Sequence, residues 1–252
     1  TASKFCRVYT RHKIKNNSRF GVQFGVQLST KTLGIAGQSI TESQEEKILG
    51  VVISSDLKWT KHLNKIKSEC NYHLSVLRRL SRVLNNKQLK TIANGIIMSR
   101  LRYCLGVHGA EQFRFDKHDP LTTISQQLQV IQNEMLRIIT GNKISDRVKV
   151  TDMLQTTGML SINQIIGYSV MMEAWKSKTF DVEPLSKLLS QGRNDDRILR
   201  SNTNNDATSS TIEPFAICAR KLWNVSSSRF KSTNLTKVAK SEAKKTAQSL
   251  PI

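Results

Sequence analysis

After Asp56 the spacing of apolar residues changes from every second position to about every 3.6, and it keeps that period, which commits most of the chain to helices. Trp59, Leu63, Ile66, Cys70, Leu74, Leu77 and Leu84 recur at threes, fours and sevens and predict one long amphipathic helix from about Trp59 to Leu84. Asn85-Asn86 is expected to break it, and a second helix follows with Leu89, Ile92, Ala93, Ile96, Ile97 and Leu101 inward. A loop centred on Asp116 to Pro120 precedes a third, striped by Ile124, Leu128, Ile131, Met135 and Ile138 and ended by Gly141-Asn142. A short helix from about Asp146 to Thr156 stops at Gly158, and another starts at the N-cap Ser161 and runs to about Lys178.

Upstream of Asp56 the pattern is that of strands. Phe20 to Leu28 alternates, with Val22, Phe24, Val26 and Leu28 on one face, and Ile48 to Ile53 is a short β-branched run closed by the turn residues Ser54-Ser55-Asp56. Two to four short strands are expected there. Between Asp181 and Thr211 the chain is polar and has little to bury, so it reads as a linker, followed by a packing element around Phe215 to Trp223 and a last basic helix near Leu235 to Ser249. The expected fold is mainly α, a helical bundle preceded by a few short β-strands. Its parts are a β-rich segment 1–57, a helical domain 58–180, a linker 181–212 and a basic helical tail 213–252.

The helical part is also where the charge sits. The chain carries 39 Lys and Arg against 19 Asp and Glu, a net charge of +20. From Lys58 to Arg102 eleven bases face the single acid Glu69, so half of the net charge falls in those 45 residues. Such crowding is self-repulsive unless a polyanion neutralises it, and a nucleic-acid backbone releases its counterions when Lys and Arg replace them. The candidate phosphate-binding residues are Lys58, Lys61, Lys65, Arg78, Arg79, Arg82, Lys87 and Lys90. Anionic headgroups or an acidic partner protein satisfy the same arithmetic. Trp59 has the chemistry to stack on a base, but its place on the apolar stripe points to burial; Met171, Met172 and Trp175 read as core.

Other chemistries fail on spacing. Asp195-Asp196 lies in a polar stretch and reads as a solvated loop; Cys104, His108 and His118 are too loosely spaced for structural zinc. Ser55-x-x-Lys58 stands without the supporting motifs of a serine acylase, and neither a Gly-rich phosphate loop nor a G-x-S-x-G elbow is present. No catalytic residue and no metal ligand is assigned. The four cysteines, Cys6, Cys70, Cys104 and Cys218, lie far apart and are expected to be reduced thiols. No run reaches the roughly 20 apolar residues of a membrane span, and residues 1–20 lack an apolar signal core. The expected location is intracellular, nucleus or cytoplasm, without secretion. The chain begins at Thr1 rather than Met, and a piece of something longer is expected.

Several segments, in this order, resemble a known family. Glu46-Lys47-Ile48-Leu49-Gly50-Val51-Val52-Ile53, then Asp56-Leu57-Lys58-Trp59 and His62-Leu63, resembles a passage that follows the polymerase palm in non-LTR (LINE-type, jockey-like) retrotransposon reverse transcriptases. Leu77-Arg78-Arg79-Leu80 and Arg102-Tyr103-Cys104 with Gly109 are similar to further stretches of that family. So are Gln129-Val130-Ile131-Gln132 through Arg137-Ile138-Ile139-Thr140-Gly141, Thr157-Gly158-Met159-Leu160-Ser161-Ile162-Asn163-Gln164, and Ala219-Arg220-Lys221-Leu222-Trp223-Asn224. The resemblance covers roughly Lys47 to Ile252, and its strength lies in the ordered series.

The resemblance implies the end of a palm followed by a helical thumb. Ile48, Leu49, Gly50 and Val51 would then lie near the hairpin that grips the primer end, and the basic helices would track an RNA–DNA hybrid or duplex without sequence specificity. The family's catalytic aspartates, in an F/Y-x-DD turn, lie upstream of everything matched, and this chain has no such motif. It therefore has no holder for the magnesium of the complete RNA-directed DNA polymerase and is expected to be inactive alone. His108 stands where the family usually has Trp, and Thr1 to Leu28 matches poorly, which reads as a truncated or decayed copy. The rival expectations are a helical module docking an acidic protein, and a decayed product without function.

Overall fold

A computed structural model of the chain describes residues 32–35, 38–41, 43–56, 58–110, 113–116, 123–183, 186, 187 and 212–252. The strand expected over Phe20–Leu28 lies outside them, as do most of the polar stretch 181–212 and of the loop 116–120. Two compact units divide between Glu46 and Lys47. In the first, β1 (Thr32–Ile35) and β2 (Gln38–Thr41) form an antiparallel pair, Thr32 opposite Thr41 and Ile35 opposite Gln38.

The second unit is mainly helical and follows a short hairpin, in which β3 (Glu45–Ile48) pairs with β4 (Val51–Ser54). The apolar run Ile48–Ile53 is thus not one strand. It reverses at Leu49-Gly50, where both residues have positive φ, +49° and +86°, the backbone of a tight two-residue turn. The turn chemistry expected at Ser54 to Asp56 is present: the Asp56 carboxylate accepts the Lys58 N–H at 3.0 Å and the Ser54 hydroxyl donates to the Lys58 carbonyl at 2.9 Å.

Helix α1 (Thr60–Leu80) buries Leu63, Ile66, Cys70, Leu74 and Leu77 along one side. It ends four residues before the expected Leu84 because α2 (Asn86–Ala93) captures the chain first. The Asn85 side chain accepts the Gln88 N–H at 3.0 Å while Gln88 Oε1 accepts the Asn85 N–H at 3.1 Å, a reciprocal cap that fixes the start of α2. Asn85-Asn86 is therefore a helix start. A π-helical turn, Asn94–Met98, continues α2 into α3 (Ser99–Arg102), and Cys104, at φ +54°, redirects the chain into α4 (Leu105–His108).

Helix α5 (Thr123–Thr140) stops at Gly141 and α6 (Val150–Thr157) at Gly158, both left-handed as expected. α6 begins four residues later than Asp146, because the Asp146 carboxylate accepts the Lys143 N–H at 2.6 Å and closes a separate 3₁₀ turn, Ile144–Asp146. Helix α7 (Ile162–Thr179) opens on Ser161 with a second reciprocal cap from Gln164 and is the centre of the core. α4, α5, α8 (Ile212–Val225) and α10 (Thr236–Gln248) all pack on it, and Met171, Met172 and Trp175 are buried as expected. The Trp175 indole N–H donates to the Thr233 carbonyl at 2.9 Å, fastening the turn between α9 (Ser228–Ser232) and α10 to the core.

Cys70 and Cys218 are buried free thiols; burial pushes them up to about 11 and about 12, well above the range of reactive thiolates. Among the described residues no helix is long and apolar enough to cross a membrane.

Candidate nucleic-acid interface

Apolar residues that turn inward at 3.6-residue spacing necessarily leave the opposite line of a helix outside. On α1 that line is Lys61, Lys65, Ser68, Tyr72, Ser75 and Arg79, at spacings of four, three, four, three and four. Cations at both ends, Lys61 and Lys65 at one and Arg79 at the other, thus bracket the hydroxyls of Ser68, Tyr72 and Ser75 along about five helical turns, each rising roughly 5.4 Å. Tyr72, 65% exposed, is the one aromatic on this line. It was absent from the candidates, although its position on the solvent line of the helical projection marks it.

The predicted basic residues do not share one role. Arg79, Arg82 and Lys87 are exposed and pair with no acid among the described residues. Lys65 is half-buried at the rim of a cleft, while Lys58 lies 3.8 Å from Asp56. Arg78 is ion-paired to Glu134 of α5, so it ties two helices together. Lys90 reaches the end of α6, its Nζ 3.9 Å from where a Cβ on Gly158 would stand, where the last carbonyls of that helix favour a cation.

The cleft, about 270 Å³, opens between the tip of the β3–β4 hairpin, α1 and α3. Gly50, His62, Ile66 and Tyr103 line it, and Lys65, Glu69 and Arg100 supply its charges. Arg100 is fixed by Glu69 at 3.1 Å and by the Ile96 carbonyl at 2.7 Å, so its guanidinium is held in place. Two side chains set the hairpin against the helices. The Tyr103 hydroxyl donates to the Leu49 carbonyl, and the Val52 N–H donates to His62 Nδ1 at 3.4 Å. Of the four residues expected near a primer grip, Val51 is buried, Ile48 is half-buried, and Leu49 and Gly50 are exposed, Gly50 at the cleft.

Trp59 is half-buried as its stripe position predicts, with its ring centroid 6.1 Å from that of His108. His108 is fully buried against His62, whereas the Asp195-Asp196 pair and His118 lie outside the described residues. Among the described residues no group of three or more His, Cys, Asp or Glu is placed to hold a metal ion. No protein-family model, no curated protein and no solved structure matches the chain. The interface stands on its own geometry.

Proposed function

We propose that this chain binds nucleic acid through its phosphate backbone, without sequence specificity, as the thumb-bearing C-terminal portion of a retrotransposon reverse transcriptase that is inactive alone. The observation that carries the reading is the outer line of α1, where exposed Lys61, Tyr72 and Arg79 stand with half-buried Lys65, on a helix whose other face is committed to the core. Lys and Arg spaced by helical turns meet phosphates, while Ser68 offers a hydroxyl to a phosphate oxygen. An exposed aromatic between the charges gives a stacking surface for an unpaired base. The hairpin tip, pinned by Tyr103, shares a cleft with Lys65 and Arg100, which supports reading it as primer-grip-like.

The test is fluorescence anisotropy of a labelled RNA–DNA hybrid, duplex DNA and single-stranded RNA titrated with the chain across a salt series. Binding should fall linearly in log K against log salt, with a slope of about −0.9 for each phosphate neutralised. No binding at low salt by a folded chain would overturn the proposal and turn the search to an acidic protein.

A further inference from the structure

Helix α10 carries a second basic line. Ala239, Ala243 and Ala247 recur every four residues on its inner face, and these small side chains let α10 pack closely on α7. The outer line is Lys237, Ser241, Lys244 and Gln248, flanked by Lys240 and Lys245, all exposed. Like the outer line of α1, it combines cations with small polar groups.

The charge around it is as concentrated as on α1. From Phe215 to Ile252 eight bases stand against one acid, Glu242. That carboxylate is already engaged, by Lys245 at 2.9 Å and by the Ser227 hydroxyl at 3.1 Å. Lys237, Lys240 and Lys244 pair with no acid among the described residues. Elsewhere on the C-terminal helices Lys178 sits over the Trp223 ring, 4.5 Å from its centroid. Burial, and after it the nearby charge of Lys231, holds Lys178 below the ordinary lysine range.

The chemistry of the partner follows from what the line lacks. An interfacial membrane helix needs an exposed apolar face, and the apolar face of α10 is spent on α7. A protein interface needs an apolar or aromatic anchor at its centre, and the outer line offers only Lys, Ser and Gln. A uniform polyanion asks for neither. α1 packs on α5 and β4 while α10 packs on α7 and α9, so the two basic lines belong to helices with separate packing partners.

We propose that the outer face of α10 is a second phosphate-binding surface, independent of α1, so that one chain holds two nucleic-acid segments at once. The proposal extends the reading above and is separable from it. The test uses three full-length chains, wild type, K61E/K65E/R79E and K237E/K240E/K244E, each checked for wild-type helicity by circular dichroism. Each receives a mixture of donor-labelled and acceptor-labelled RNA–DNA hybrids, read for single-hybrid binding by anisotropy and for bridging by energy transfer.

Wild type should bridge, and each variant should bind one hybrid without bridging, through the surface it retains. If the α1 variant binds no hybrid while wild type does, α10 is not a surface and the function proposed above still stands. Bridging retained by the α10 variant overturns the proposal as well. A wild-type chain that binds no hybrid sinks both readings. Sedimentation of the α1 variant with phosphatidylserine vesicles, without hybrid binding, would assign the face to lipid instead.

Discussion

His62 and His108 meet edge to face inside the second unit, ring centroids 5.4 Å apart and planes at 75°, one from α1 and one from α4. His62 Nδ1 accepts the Val52 N–H, which requires a neutral ring at that nitrogen. Burial holds both imidazoles below the ordinary value of 6.5, with the charge of Lys65 adding to the effect on His62; His108 falls to about 4. A histidine whose value is lowered on folding binds its proton more readily in the unfolded chain, so stability falls as the pH falls. The loss begins as the pH drops through about 6.5 and is complete near 4, where the folded form also protonates. From His108 alone the change is on the order of 3 kcal/mol. Denaturant unfolding between pH 7.5 and 4 should show the decline, and H108F should flatten it. An equal decline in H108F would show that the pair is not its cause.

Leu49 sits in the left-handed region at φ +49°, 85% exposed, at the first position of a turn that favours Asn or Gly. Its side chain gains nothing from burial there, and the backbone conformation costs a β-carbon residue roughly 1–2 kcal/mol. L49N gives the turn an Asn-Gly pair and should raise stability by about 1 kcal/mol. Y103F removes the hydroxyl that donates to the Leu49 carbonyl and should lower it by about the same amount. Thermal melts of the two variants should move in opposite directions.

The helices were legible because burial writes itself into the sequence at 3.6-residue spacing. Leu63, Ile66, Cys70, Leu74 and Leu77 all turned inward, and Ser161 with Gln164 announced the start of α7 by cap chemistry. What was missed depends on partners distant in the chain. The reversal at Leu49-Gly50 is held by Tyr103, 54 residues away, and Leu49 carries no turn signal of its own. The pairing of Arg78 with Glu134 needs α5 beside α1, which no local pattern states. The α10 line does not stand out in the sequence, because Asp206 and Glu213 lie upstream in the same tail and offset lysines that lie on its outer face.

Gly167 lies in the middle of α7 where two other parts of the chain press on it. A β-carbon built there would stand 2.5 Å from Leu250 Cδ1 and 2.9 Å from a ring carbon of Phe113. Leu250 follows α10, so the missing side chain is what lets the C-terminal helices close onto α7. G167V should destabilise by about 1–3 kcal/mol through overpacking. Urea unfolding measures it, and a midpoint equal to wild type would show that the neighbours yield without cost.

Arg78 and Arg79 are adjacent in sequence and differ by one step of about 100° around α1, yet they answer to different demands. Arg78 turns toward α5 and meets Glu134, both side chains still partly in water, 51% and 40% exposed. Such a pair is worth about half a kcal/mol, so R78A should lower stability by that amount and leave E134 variants with nothing further to lose. Arg79 lies on the outer line with Lys61 and Lys65 and holds no acid among the described residues. R79A should leave unfolding unchanged and reduce the salt slope of hybrid binding by about one. A double-mutant cycle on Arg78 and Glu134, set beside binding isotherms for R79A, separates the two roles. Equal binding losses for both arginines would mean that the hybrid lies along the α1–α5 seam, not along the solvent line of α1.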